Sequence, residues 1–246
     1  MVRHDMISRY VGTLGGALWA IIHPLTTVLI FWLVFSVGFK ANGPSGTPFI
    51  VYFITGFAPW LLINSTILSN VSIISANVHL VKKTVFPVEV LPLVRLISET
   101  VTHILFLVIL SCVLGFYGYY PTLFTLQVLY YFFAECILVL GLSWLLSALQ
   151  VFHRDISQAA GIILNLWFWL TPIVWSTDMI SEDFRWLLQI NPVIYIVDGY
   201  RNSFLMQRGA WLDLWGGGSY WFITGIILMS GALCFRKLKP HFADVV

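Results

Sequence analysis

Long apolar runs alternate with short polar stretches along almost the whole chain. Each run is long enough to form a helix of about 20 residues, the length that crosses the hydrocarbon core of a bilayer. The runs are continuous, whereas strands of a membrane β-barrel alternate apolar and polar side chains over about 10 residues. The pattern therefore predicts an all-α membrane protein with six transmembrane helices, at residues 18–39, 49–72, 91–116, 123–149, 158–176 and 219–236.

Composition supports the same class. The 246 residues are 59% hydrophobic and only 10% charged, whereas a soluble domain carries about 25% charged residues. The formal net charge of +2 gives no basic field that would hold a nucleic acid. These values exclude a soluble enzyme, a disordered chain and a nucleic-acid-binding protein. The Cys and His residues show no metal-ligand spacing, so we expect no metal site.

The distribution of Lys and Arg predicts which side of the membrane each loop occupies. Nine of the 13 basic residues would lie on the side of the N-terminus: Arg3, Arg9, Lys82, Lys83, Arg95, Arg154, Arg236, Lys237 and Lys239. Five acidic residues would cluster on the opposite side: Asp178, Glu182, Asp183, Asp198 and Asp213. Cytoplasmic loops are enriched in Lys and Arg, so both termini are predicted to be cytoplasmic.

Two cytoplasmic segments are predicted to lie along the membrane, and the second of them is too apolar for a free loop. Residues 1–17 predict a helix that lies in the membrane interface, with an unstructured lead as the alternative. Residues 73–92 are too polar to span and contain Pro87 and Pro92, which break helices. We expect a short helix before Pro87 that lies along the cytoplasmic face, where it would contact lipid headgroups or a partner.

The longest connection, residues 177–218, is half apolar and is interrupted by Asn191-Pro192. This pattern predicts two short helices that dip back into the membrane. Irregular backbone at that depth is tolerated only where protein or a water-filled cavity surrounds it. Asp198 and Arg201 would stand at i, i+3 on the second short helix and could form an ion pair.

Two acidic residues fall inside predicted spans, where charge is costly and is therefore a functional hypothesis. Glu99 has Arg95 and His103 at i−4 and i+4, which also fits a satisfied interfacial cluster. Glu135 has no charged neighbour along its helix. It must find a partner across a helix interface, face water or be protonated.

Aromatic residues form stripes on the first two spans. Phe49, Phe53, Phe57 and Trp60 share one face of the second span. The first span carries a similar stripe at Trp32, Phe35 and Phe39. Aromatic faces stack on the C–H edges of sugar rings, so the stripes could line a path for a glycan. Helix–helix packing or lipid contact is the alternative.

Four strings resemble one family in order and spacing. They are Gly15-Gly16-Ala17-Leu18-Trp19-Ala20…Pro24-Leu25, then Leu80-Val81-Lys82-Lys83…Phe86-Pro87-Val88-Glu89-Val90-Leu91-Pro92, Val151-Phe152-His153-Arg154-Asp155-Ile156, and Thr171-Pro172-Ile173-Val174…Asn191-Pro192-Val193…Tyr200-Arg201. They resemble the membrane subunit of ABC exporters for bacterial polysaccharides, the O-antigen (Wzm-type), capsule and teichoic-acid permeases. The resemblance covers nearly the whole chain, although the N-terminal lead is shorter than in that family.

The resemblance implies a homodimer of this subunit with two copies of a separate ATP-binding cassette subunit, in the bacterial cytoplasmic (inner) membrane. The implied cargo is an undecaprenyl-diphosphate-linked glycan, O-antigen foremost. ATP and Mg would bind to the ATPase partner and no cofactor to this chain, which is not itself an enzyme. The sequence indeed contains no G-x-x-x-x-G-K-[ST] phosphate loop.

The resemblance also implies roles for particular residues. Residues 76–90 resemble the coupling helix that fits a groove of the ATPase, residues 1–17 the interfacial helix, and residues 178–209 the paired re-entrant helices. The implied ATPase contacts are Lys82, Lys83, Pro87, Glu89, Arg154 and Asp155. The implied channel-lining aromatic residues are Trp32, Phe35, Phe49, Phe53, Phe57 and Trp60.

Two other transporters remain as alternatives. An ABC permease of the same fold could export a drug or a lipid, because a drug pore could also use aromatic stripes. An ion- or proton-coupled carrier would need internal repeats and helices broken at mid-membrane, and the two halves of this sequence show no convincing repeat.

Overall fold

The computed structural model describes residues 18–82, 86–209 and 214–245, and this part of the chain is mainly helical. Its α-helices are α1 (Trp19–Phe31), α2 (Phe49–Val71), α3 (Ile73–Ala76), α4 (Val78–Val81), α5 (Val90–Phe116), α6 (Val128–Phe152), α7 (Ile156–Leu170), α8 (Arg185–Ile190), α9 (Pro192–Arg201), α10 (Leu214–Leu238) and α11 (Phe242–Val245). Two π-helical segments, Trp32–Gly38 and Asn202–Met206, extend α1 and α9. No β-strand occurs among the described residues, as an all-α class predicts.

Five helical stretches are long and apolar enough to cross a membrane. They are Ile21–Gly38, Phe49–Val71, Val90–Phe116, Leu123–Phe152 and Gly216–Val245. These stretches coincide with the first four predicted spans and the last one. Five of the six predicted spans are therefore helices with the length and apolar character that a membrane crossing requires.

The predicted span at 158–176 is shorter in the structure. α7 has 15 residues, and a rise of 1.5 Å per residue gives roughly 22 Å, less than the roughly 30 Å of a hydrocarbon core. The helix ends at Thr171, whose backbone is extended. Pro172 explains this end, because proline has no N–H to donate and disfavours the helical conformation of the residue before it.

α2 lies at the centre of the bundle, in contact with α1, α5, α6, α7 and α9. Most of its 23 residues are buried. One of its buried polar side chains joins it to its neighbours: the Asn70 amide donates to the Ser143 hydroxyl at 2.9 Å and to the Pro92 carbonyl at 3.3 Å. These bonds tie α2 to α5 and α6, as a polar group in an apolar interior requires.

α6 and α10 pack most closely of all the helices, because glycines face each other at their crossing. A Cβ atom at Gly231 would overlap the carbonyl oxygen of Gly141, and one at Gly141 would lie 2.8 Å from the Cα of Leu228. Small residues let membrane helices approach closely enough for extensive backbone contact. The close approach of α6 and α10 therefore depends on the absence of side chains at Gly141 and Gly231.

Successive long helices run in opposite directions, so the connections gather at two ends. The Glu89 end contains α3, α4, α11 and the turn at 153–155, and it holds its own buried apolar cluster, which includes Ile74, Phe235 and Phe242. The other end, named here the Trp175 end, contains the connections 39–48, 117–127 and 171–209.

Candidate functional site

The predicted coupling segment lies at the Glu89 end as two short helices, α3 and α4, rather than as one helix over 76–90. Asn77 separates them, and its side-chain amide donates to the Ile73 carbonyl at 2.8 Å. The Ser75 hydroxyl donates to the side chain of Gln150 at 2.8 Å, which fastens α3 to α6. The segment therefore rests on the bundle instead of projecting from it.

The residues predicted to contact an ATPase differ in their accessibility. Lys82 and Pro87 are exposed, and so are Arg154 and Asp155 in the turn between α6 and α7. Lys83 lies outside the described residues. Four predicted contact residues at this end are therefore open to a partner.

Glu89 is bound within the chain. Its carboxylate accepts a hydrogen bond from the Lys239 ammonium group at 2.6 Å, and its backbone carbonyl accepts one from the Trp144 indole at 3.1 Å. The hydrogen bond from Lys239 lowers the pKa of the Glu89 carboxyl below its ordinary value. The sequence interpretation offered Glu89 as a contact for a partner, whereas the structure gives it an internal partner 150 residues further along the chain.

The aromatic stripes meet each other. Phe31 stacks on Phe53 with ring centroids 4.6 Å apart, and Phe35 stacks on Phe49 at 4.9 Å. These four rings form an aromatic seam between α1, with its π-helical extension, and α2. Phe57 continues the seam, 5.2 Å from Phe53. Aromatic pairs at these separations are favourable beyond the area that they bury.

Four of the predicted channel-lining residues are buried in this conformation. The side chains of Phe49, Phe53, Phe57 and Trp60 are between 0% and 7% exposed, so they pack against the chain itself, as the packing alternative stated. Trp32 and Phe35 are half-buried and retain surface that a cargo could touch. For these two the lining role stays a prediction.

A buried arginine fixes α9 to the rest of the Trp175 end. The guanidinium of Arg201 donates to the carbonyls of Pro172 at 2.6 Å and Ile173 at 3.0 Å. It lies 3.7 Å from the centroid of the Tyr52 ring, a cation–π contact. Gly56 on α2 leaves the space it occupies, since a Cβ there would lie 2.7 Å from the guanidinium. Planar guanidinium groups are well suited to hold two acceptors at once.

The predicted pair on α9 is present. The Asp198 carboxylate lies 3.6 Å from the Arg201 guanidinium at i, i+3. The Asp198 side chain is 45% exposed, whereas that of Arg201 is 5% exposed. The two carbonyls and the ring of Tyr52 therefore hold the arginine more directly than the carboxylate does, and the sequence pattern gave no signal for any of these three groups.

Glu135 finds its partner across a helix interface, one of the three possibilities open from the sequence. The Tyr200 hydroxyl lies 3.1 Å from the Glu135 carboxylate and 2.9 Å from Nε2 of His103. All three side chains are buried. The hydroxyl therefore joins α9 to α5 and α6 next to Arg201. Next to it, the ring of Tyr131 occupies the place of a Cβ at Gly199, which brings α9 close to α6.

Glu99 lies in a different environment. Its carboxylate is 3.9 Å from the Arg95 guanidinium nitrogen and 3.5 Å from the Ser69 hydroxyl. This arrangement fits the satisfied cluster that the sequence allowed, except that His103 points to Tyr200 instead. The described residues hold no group of three or more His, Cys, Asp or Glu side chains that could bind a metal ion.

The sequence matches a known family and is similar to relatives from two organisms. The ABC-2 type transporter family matches residues 1–205. The O-antigen export system permease protein RfbA of Klebsiella pneumoniae is 30% identical over 244 residues, which cover 98% of this chain and 92% of that protein. The protein of the same name from Myxococcus xanthus is 27% identical over 253 residues, which cover 100% and 94% of the two chains. The similarity thus includes both ends of the bundle.

Proposed function

Because the chain belongs to the ABC-2 type transporter family, we propose that it is the channel-forming membrane subunit of an ATP-driven exporter of lipid-linked polysaccharide. The cargo that we propose is O-antigen, moved from the cytoplasm across the inner membrane. The observation that carries this proposal is the similarity to O-antigen export permeases over nearly their full length. The subunit makes and breaks no covalent bond in this scheme.

The chain is a multi-pass membrane protein, and we infer six crossings with both termini in the cytoplasm. α6 ends at the Glu89 end and α10 begins at the Trp175 end, so the chain must pass from one end to the other through α7 and the segment that follows. The excess of Lys and Arg at the Glu89 end supports a cytoplasmic location for that end. α8 and α9 would then be the re-entrant pair on the far side.

The proposed complex contains two copies of this chain and two ATPase subunits, which bind ATP and Mg. The exposed residues Lys82, Arg154 and Asp155 at the Glu89 end support docking of the ATPase there. ATP binding would close the two ATPase subunits and displace the α3–α4 segment. Packed helices respond to such a displacement by switching between discrete arrangements.

The cargo path is proposed from charge and from aromatic residues. The lipid diphosphate would approach from the cytoplasmic leaflet, where Lys82 would attract anions. Arg3 and Arg9 of the predicted interfacial helix at 1–17 would do the same, although that segment lies outside the described residues. The glycan would pass the half-buried rings of Trp32 and Phe35. Because the seam between α1 and α2 is closed here, α1 must shift for more of these rings to contact a sugar.

The proposal is tested by deleting the gene and measuring surface glycan and intracellular lipid-linked glycan separately. We expect glycan to disappear from the surface and to accumulate inside, and a plasmid copy of the gene to restore both. Unchanged surface glycan in a strain without a second exporter would refute polysaccharide export. That result would favour export of a drug or a lipid by the same fold.

A further inference from the structure

The C-terminal segment folds back onto the segment that we propose the ATPase displaces. A short 3-10 turn, Lys239–His241, follows α10 and leads into α11. The Phe242 side chain is buried, with its ring 5.4 Å from that of Phe235 and 6.2 Å from that of Phe152. α11 also contacts α4 and α6. The end of the chain is therefore packed between the proposed coupling segment and two long helices.

Glu89 is the point where three elements meet. It stands directly before α5, its carboxylate binds Lys239 after α10, and its carbonyl binds Trp144 on α6. Any movement of the chain at Glu89 is thus passed to α6 and α10 through two hydrogen bonds. Among the described residues, Val88 of the same turn adds apolar packing in the cluster that contains Val151 and Phe235.

The ion pair between Lys239 and Glu89 contributes little to the stability of the fold, because both side chains are exposed. The side chains of Lys239 and Glu89 are 39% and 45% exposed, and ion pairs at such exposed positions contribute little to the free energy of unfolding. A short, well-aligned contact between residues 150 positions apart nevertheless fixes their relative position. Loss of the ion pair is therefore expected to change the position of Glu89 relative to Lys239 more than the free energy of unfolding of the whole protein.

We propose that Lys239 is a positioning residue for coupling. Together with buried Phe242, it clamps α4 and the turn at 87–89 onto α6 and α10, so that a push by the ATPase moves these long helices instead of bending the turn. The inference rests on the proposed function and extends it by assigning the C-terminal segment to the coupling apparatus. It also explains why the apolar cluster of the Glu89 end includes Phe242.

The test compares variants of the complete complex with its ATPase partner, reconstituted in liposomes. Lys239→Gln removes the ion pair, and Lys239→Glu with Glu89→Lys restores it in reverse. Lys237→Gln is the matched control, because Lys237 is exposed two residues earlier, at the end of α10, and makes no ion pair with another described residue. The measured quantities are the rate of ATP hydrolysis and the amount of glycan exported per ATP.

We expect Lys239→Gln to assemble and melt like the native complex and yet to export at least fivefold less glycan per ATP. The reversed pair should recover export to within about twofold of the native value, and Lys237→Gln should equal it. Equal export per ATP by Lys239→Gln and Lys237→Gln would overturn the clamp. So would a reversed pair that assembles but does not recover.

The native complex separates this inference from the proposed function. If native liposomes hydrolyse ATP but export no glycan of any kind, the proposed cargo is wrong. If they export glycan and Lys239→Gln does so equally well, only the clamp is wrong. A cross-linking test of the pair needs no cargo: a carbodiimide, which joins a carboxylate to an amine in direct contact, should link Glu89 to Lys239 in the assembled native complex. Absence of this link by mass spectrometry would contradict the contact.

Discussion

The substitution Arg201→Lys tests whether the attachment of α9 to α2 and to the chain at Pro172 depends on the shape of the guanidinium group or only on its charge. In the structure the two terminal nitrogens of Arg201 donate to two different carbonyl oxygens, those of Pro172 and Ile173. The flat group also covers the ring of Tyr52. Lysine keeps the charge and has three N–H donors, but they all stand on one nitrogen at the end of a shorter side chain. It lacks both the planar fork that reaches the two carbonyls and the flat face that stacks on Tyr52.

The expected cost follows from these contacts. A hydrogen bond to a charged group contributes about 1.5–3 kcal/mol, and a desolvated cation–π contact contributes about 2 kcal/mol. Loss of one hydrogen bond and part of the stacking gives about 2–4 kcal/mol. In a chain of this length each kcal/mol lowers Tm by about 2–4 °C, so Arg201→Lys should lower the melting temperature by about 4–16 °C.

The assay is thermal denaturation of the purified protein in detergent, followed by the fraction that remains monodisperse. Arg208→Lys is the control, because Arg208 is exposed at the same end of the bundle, and exposed substitutions change stability by about 0.5 kcal/mol or less. Equal melting temperatures for the two variants would refute the reasoning. They would mean that charge alone holds α9.

Three further predictions use the same denaturation assay, with an export assay added for Phe53. Gly231→Ala places a methyl group against a backbone oxygen of α6 and should cost about 1–3 kcal/mol, whereas Gly225→Ala points into open space and should leave Tm unchanged. Phe53→Ala should cost about 3–5 kcal/mol if the ring packs; slowed export with an unchanged Tm would instead show a lining role. Tyr200→Phe should cost about 1–3 kcal/mol, and Glu135→Gln should then add less than it costs alone. Additive costs would contradict their shared hydrogen bond.

The sequence predicted the membrane helices well because long apolar runs have one physical explanation in a chain so poor in charge. The predicted span at 158–176 is the exception, and its shortening has a local cause. The apolar run at 158–176 continues past Thr171, but Pro172 ends the helix there, and hydropathy alone does not register a missing N–H. The ion pair of Asp198 with Arg201 was predictable for the opposite reason, since i, i+3 spacing on one helix fixes it.

The aromatic residues show where sequence reasoning reaches its limit. Helical periodicity correctly places Phe49, Phe53 and Phe57 on one face of α2, but it does not say what covers that face. In a soluble protein, polarity would separate the buried side of a helix from the exposed side. In a membrane helix, lipid, a second helix and a cargo channel all accept an aromatic ring, so only the positions of Phe31 and Phe35 reveal the seam.

Contacts between residues far apart in the sequence could not be predicted for a different reason. His103 meets Tyr200 across 97 positions, and Glu89 meets Lys239 across 150. Such pairs depend on how the long helices pack, which no local pattern encodes. His103 illustrates the ambiguity: at i+4 it was offered as a neighbour of Glu99, whereas its Nε2 lies 2.9 Å from the Tyr200 hydroxyl, because spacing along one helix was the only information available.

α2 connects the two ends of the bundle, and this gives the proposed export cycle a mechanical basis. Near its start, Tyr52 and Gly56 receive the guanidinium of Arg201; near its end, Asn70 binds α5 and α6, and the chain passes through one residue into α3. Packed interiors resist gradual deformation. A displacement of the α3–α4 segment must therefore move α2 as a unit or break these contacts. If it moves as a unit, the force applied by the ATPase reaches α9 directly, because the same helix holds the arginine that fixes α9 in place.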